Sequence, residues 1–117
     1  MKLLMIVINE DDVLEPLIAS LKEAGIGGGT IIESQGMNSL LYDLGNDQVP
    51  MFATIRLWVN DIRPHNKTIF SVIEDQFEDV ALDIVSKALD NFSRPGKGIA
   101  FTMNLDKVIG YRSYDKE

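Results

Sequence analysis

The chain has no cysteine, one histidine and one tryptophan. Without cysteine there is no disulfide, no thiolate nucleophile and no sulfur ligand for zinc. With His65 as the lone imidazole, one copy cannot assemble a histidine-based triad or a histidine metal cluster. Positive charge is also scarce. Eleven lysines and arginines stand against eighteen acids, for a net charge of −7 at pH 7, and the basic residues are scattered, a balance that repels nucleic-acid phosphate. No apolar run approaches the roughly 20 residues that span a bilayer. The run Met1 to Ile8 stops at Asn9-Glu10-Asp11-Asp12 with no small-residue cleavage site, so it reads as a buried strand and not as a signal peptide. A soluble, cytoplasmic protein without membrane insertion is expected. Nucleophile and base at a recognisable spacing are missing too, since none of the serines has a context that would activate it. The sequence therefore predicts a protein that is not an enzyme.

What is present fits one domain over residues 1–117. Hydrophobic residues make up 45% and charged residues 25% of the chain, ordinary globular values that disfavour extensive disorder. Leu3 to Ile8 is a continuous apolar strand. A helix follows, with Val13, Leu14, Leu17, Ile18 and Leu21 at helical spacing, Asp11 or Asp12 as its cap and Glu15 completing a capping box with Asp12. Pro16 is tolerated in its first turn, and Ala24-Gly25 ends it. Gly27-Gly28-Gly29 is a loose connector to a second strand, Thr30 to Ser34.

From Gly36 to about Asn66 the chain runs roughly thirty residues, long for a connection inside a compact domain. Phe52, Ile55, Trp58 and Val59 fall at helical spacing behind Pro50 and predict a short helix there, with Trp58 as an anchor or interface residue. A third strand is expected from Lys67 to Ile73. The second helix is expected from Gln76 to Phe92, its stripe being Phe77, Val80, Ala81, Ile84, Val85, Ala88 and Leu89. Glu74-Asp75 would cap it. A fourth strand, Ile99 to Met103, and a tail strand, Val108 to Tyr111, close the chain.

This order predicts an α+β, ferredoxin-like β-α-β-β-α-β sandwich: a four-stranded antiparallel sheet, two helices on one face and a long insertion, 36–66, after the second strand. The other face of the sheet would be bare and apolar, so another subunit is expected to cover it.

Ahead of the fourth strand, Pro95-Gly96-Lys97-Gly98 is a turn signal in which glycines bring backbone N–H groups close to an anion and Lys97 adds charge. Arg112 offers a planar fork, and Tyr111 with Arg112 could wall a small molecule by stacking and ion pairing.

The opening Met1-Lys2-Leu3-Leu4, the Gly25-Ile26 helix end followed by Gly-Thr-Ile-Ile-Glu, the Gly36 that opens the long excursion, and Pro-Gly-Lys-Gly-Ile-Ala-Phe with a later Val-Ile-Gly-Tyr-Arg together resemble the P-II nitrogen-regulatory signalling proteins. The resemblance runs from Lys2 to Ser113, apart from most of the insertion. It implies a cytoplasmic homotrimer that senses adenine nucleotides, and often 2-oxoglutarate, in clefts between subunits, and that regulates a transporter or an enzyme through its long loop. Carried over by position, Gly36 matches the glycine at the base of that loop. Gly96 and Gly98 match the glycines of the phosphate loop, Phe101 the aromatic of the next strand, and Arg112 one of two phosphate-binding arginines. Lys97 stands where the family has aspartate, Ile99 where it has lysine and Gly110 where it has the other arginine. Ser39 and Leu40 replace the polar pair after Gly36, and Tyr42 lacks the surroundings of the tyrosine that some relatives modify. The implied effector site is Gly36, Gly96, Lys97, Gly98 and Arg112, with ATP, ADP or another adenine nucleotide as effector and no metal. The alternatives are a trimeric interaction module of the same fold without an effector, and a protein similar to the CutA cation-tolerance proteins.

Overall fold

The computed structural model describes residues 1–37, 65–90 and 98–112. Four strands, β1 (Lys2–Ile8), β2 (Thr30–Gln35), β3 (His65–Ile73) and β4 (Gly98–Asn104), form one sheet in the order β2-β3-β1-β4, with every neighbouring pair antiparallel. Helix α1 (Leu14–Glu23) follows β1 and helix α2 (Glu78–Ala88) follows β3. This is the ferredoxin-like arrangement that the element order predicts. Among the described residues no helix is long and apolar enough to cross a membrane.

Register decides which side chains share a face, because directly opposed residues point the same way. Leu4, Ile6 and Ile8 of β1 stand opposite Ser71, Ile69 and Lys67 of β3, and with Ile69 and Ile73 they meet Leu17 and Leu21 of α1 and Ala81, Val85 and Leu89 at α2. These side chains are all buried, and each large one contributes roughly 1.5–3 kcal/mol of transfer free energy. In α2 the buried line Ala81–Val85–Leu89 has i, i+4 spacing. Val80 lies about 100° around the helix from Ala81 and is exposed, whereas Leu82 packs against the core. The predicted stripe is corrected at that position.

The opposite face has no helix among the described residues. Leu3, Met5 and Val7 of β1 line up there with Val72, Phe70 and Thr68 of β3 and with Met103, Phe101 and Ile99 of β4. Ile99, Phe101 and Met103 are exposed, as is Ile32 on β2. At its β2 corner this face turns polar, where the Ser34 hydroxyl bonds the Asn66 side chain and lies 2.7 Å from the Thr68 hydroxyl.

The ends of the elements differ from the sequence reading in several places. The expected caps do not form: neither the capping box of Asp12 and Glu15 nor a Glu74-Asp75 cap is present. Single 3-10 turns, Asp11–Val13 and Asp75–Phe77, lead into α1 and α2, and neither helix nor turn has a side-chain cap. The acids are used as partners instead. Asp11 pairs with Lys67 at 3.7 Å, and Asp75 pairs with the Met1 ammonium at 2.8 Å. Helix α2 ends at Ala88, not Phe92, because Asp90 takes a left-handed conformation (φ 52°) that an α-helix cannot continue. Strand β3 begins at His65, which removes His65 and Asn66 from the insertion. Val108 to Tyr111 form no strand: Leu105 N–H donates to Met1 C=O at 3.1 Å, and beyond it the tail leaves the β4 edge. The expected helix around Trp58, together with Ser39, Leu40, Tyr42, Gly96 and Lys97, lies outside the described residues.

Candidate functional site

The end of α1 sets up a concavity. Gly25 takes a positive φ of 99°, its N–H donates to Lys22 C=O, and Ile26 N–H reaches back to Leu21 C=O at 2.9 Å, closing the helix with Ile26 tucked into the core. That turn directs Gly27-Gly28-Gly29 along β3. The Ser71 hydroxyl donates to Gly28 C=O at 2.5 Å, and a Cβ on Gly29 would lie 3.0 Å from the Phe70 carbonyl oxygen, so the connector is pinned against the strand and is not loose. On the other side the tail crosses. Gly110 has φ 85°, and the Tyr111 hydroxyl donates to Glu74 Oε2 at 3.0 Å.

Between connector and tail lies a cavity of about 260 Å³, lined by Gly25 to Thr30, Phe70 to Ile73, Phe77 and Val108 to Arg112. Two of its features attract anions. The Gly27 and Gly28 N–H groups donate to no backbone carbonyl among the described residues. Arg112 forms no ion pair with any described residue, whereas Lys2 meets Glu78, Lys67 meets Glu33 and Asp11, and Lys87 meets Asp83. A smaller apolar hollow of about 120 Å³ lies under α1, between Leu4, Ile18, Leu21, Ile31 and Ile69, on the other side of the glycine run.

The predicted effector residues occupy different ends of the sheet. Gly36 follows β2 just past Gln35, which stands opposite His65, and Gly98 opens β4 opposite Ile8. Both lie where β1 finishes, on opposite edges of the sheet. Arg112 lines the cavity at the other end, where β3 finishes at Ile73 beside Lys2. At about 3.3 Å per residue, the length of β1 separates the two ends by roughly 20 Å. A single copy therefore does not bring Arg112 to Gly36 or Gly98. Gly98 also has a packing reason to be glycine. At φ 150°, a Cβ there would sit 2.2 Å from the Val7 carbonyl oxygen.

Electrostatics at the two ends are dominated by pairs. The Glu33 carboxylate, hydrogen-bonded to Lys67 at 2.7 Å, holds the ammonium above its usual pKa, with Asp11 adding to the effect against partial desolvation. At the cavity end, the hydrogen bond from the terminal ammonium, reinforced by its charge, holds Asp75 below the usual carboxylate range.

Sequence reading missed the glycine run as a lining element and missed Phe77 as a wall. The available signal was three consecutive glycines immediately before a strand, a pattern that lets backbone come close to a neighbour or a ligand. No protein-family model matches this chain, and no curated protein matches it in sequence.

Proposed function

We propose that this is a P-II-like signal-transduction protein of the cytoplasm, not an enzyme. In this reading it assembles as a homotrimer, binds a small anionic effector of the adenine-nucleotide class in clefts between copies, and regulates a transporter or enzyme through the segment that leaves β2 at Gly36. The observation that carries the reading is the division of the site. Arg112 and the glycine amides line a cavity at one end of the sheet, and Gly36 and Gly98 lie at the other. Packing copies through their bare apolar faces would cover Leu3, Met5, Val7, Phe70, Ile99, Phe101 and Met103 and bring the cavity end of one copy to the Gly36 and Gly98 end of another. An effector that bridges two copies shifts the population of states by its difference in affinity for them, and the Gly36 segment reports that shift to the partner.

Thermal shift on nucleotide-stripped protein with ATP, ADP, AMP and 2-oxoglutarate tests this. A ligand at a hundred times its Kd stabilises the fold by about 2.7 kcal/mol, several degrees for a domain of this size. A saturable shift that Arg112→Gln removes, together with a mass of three chains by sedimentation equilibrium, is the expected result. Three chains with no shift for any ligand favours a second reading, an interaction module of this fold without effector, to which the exposed apolar face also points.

A further inference from the structure

We propose that the apolar hollow under α1 is a binding site for short, branched aliphatic carboxylates. This site stands apart from the effector reading, because none of Val108 to Arg112 lines it.

The hollow exists because α1 does not cover the whole width of the sheet. Leu17 and Leu21 are buried in the core, while Ile18, about 100° around the helix from Leu17, faces the gap beside β2 and stays partly buried. Across that gap stands Ile31. It pairs in register with the buried Ile69 and shares its face of the sheet, yet it remains 48% exposed. The edge strand thus carries an apolar residue on the covered face that the helix fails to seal. Leu4, Leu21, Ile26 and Ile69 complete a space of about 120 Å³.

Its walls offer little to water. Ser71 bears the single hydroxyl among the lining residues, and that hydroxyl already donates to Gly28 C=O. A trapped water needs two to four polar partners, whereas an apolar cavity of roughly 150 Å³ accepts one benzene. The hollow therefore suits a branched group of about four carbons.

The rim supplies the other half of the ligand. Lys22 lines the hollow, is exposed, and forms no ion pair with any described residue, unlike Lys2, Lys67 and Lys87. The last carbonyls of α1, which would repel an anion, are occupied: Ser20 and Leu21 accept Ala24 N–H, Lys22 accepts Gly25 N–H, and Leu21 also accepts Ile26 N–H. Charge complementarity selects a carboxylate head and disfavours an amine.

The test follows the backbone amides of the full chain by NMR during titration with isovalerate, acetate, isovaleramide and isopentylamine. Isovalerate should bind saturably, with shifts centred on Leu21, Ile26, Ile31 and Ile69. Acetate lacks the branched group and should bind at least tenfold more weakly. Isovaleramide keeps the skeleton without the charge and should be severalfold weaker, the weight of a solvent-exposed charge pair, with isopentylamine weaker still. Lys22→Met should make isovalerate and isovaleramide equal. Ile31→Trp, at a half-exposed position, should fill the hollow and cost isovalerate at least tenfold. Should that variant fail to fold, Lys22→Met and the ligand series decide. The proposal is overturned if acetate matches isovalerate, if Lys22→Met keeps the preference for the carboxylate, or if the shifts centre elsewhere. No shift up to about 50 mM, a generous limit for so few ligand atoms, means that the hollow is closed or filled by the chain itself and overturns it as well. Absence of a nucleotide-induced thermal shift, by contrast, bears on the effector reading alone.

Discussion

On the helix side of the sheet Leu4, Ile6, Ile8, Ile69 and Ile73 are sealed beneath α1 and α2. One residue along each strand, Leu3, Met5, Val7, Phe70 and Val72 face the other way with Ile99, Phe101 and Met103, and Ile99 remains 56% exposed. The two faces have nearly the same chemistry and opposite surroundings. Because both sides of β1 are apolar from Leu3 to Ile8, the period-2 alternation that marks a half-buried strand is absent there. Strands can then be found from hydropathy, but their sidedness cannot. It is set by the helices, whose polar faces confine each of them to a single apolar stripe.

The contrast is broken most strongly by truncation. Leu4→Ala should cost about 2–5 kcal/mol in urea unfolding, through lost burial and the cavity left behind. Phe101→Ala should cost less than about 1 kcal/mol in dilute protein. If copies cover that face, its cost should grow with protein concentration, because assembly stabilises by mass action. A constant small cost over a hundredfold range of concentration would mean that the face stays open.

Two glycines sharpen the comparison at the level of one methyl group. Both Gly98 and Gly110 have positive φ, but only at Gly98 would a Cβ meet backbone. Gly98→Ala should cost about 1–3 kcal/mol from the clash, and Gly110→Ala only about 1 kcal/mol from its dihedral angle. Equal costs would remove the steric account of Gly98.

The smallest effect concerns the rim of the covered face. Lys67 has its pKa raised by Glu33, so its contribution is fully present below the ordinary lysine value and is lost as pH rises through the folded value. Glu33→Gln should lower stability by a small, constant amount from pH 5 to 7, and the difference should vanish as pH rises through the folded lysine value, which flattens the alkaline limb. Since Glu33 is largely exposed, the difference should also shrink with added salt.

Much of the fold is legible from pattern, because element order, helix stripes and the Gly25 stop are local signals. Element ends are less so. The acids before each helix have the spacing of caps, yet Asp11 and Asp75 reach partners that are distant in sequence, and only tertiary structure places Lys67 beside Asp11. The Val108–Tyr111 run has strand composition, but a strand needs a free ladder, and the tail leaves the β4 edge after Leu105. For the site, Arg112 is legible as a charge. Its neighbours are not, since the chain between the glycine run and Arg112 includes β2, β3, α2 and β4. Gly98, singled out as a phosphate contact, has a packing role that only the β1–β4 register exposes.

The strand order also governs how the protein can be made. β1 sits between β3 and β4, so neither of its hydrogen-bonding neighbours has been synthesised when β1, α1 and β2 leave the ribosome. β1 and β2 do not touch in the sheet. The first part of the chain therefore cannot form even a two-stranded intermediate of its own; β1 waits unpaired until β3 emerges, and one of its edges stays open until residues near Asn104 do. Every ladder that β1 makes spans most of the sequence, the kind of contact that slows folding and leaves nascent chains dependent on chaperones. The same order resists piecemeal fraying once complete, because loosening β1 releases both halves of the sheet together.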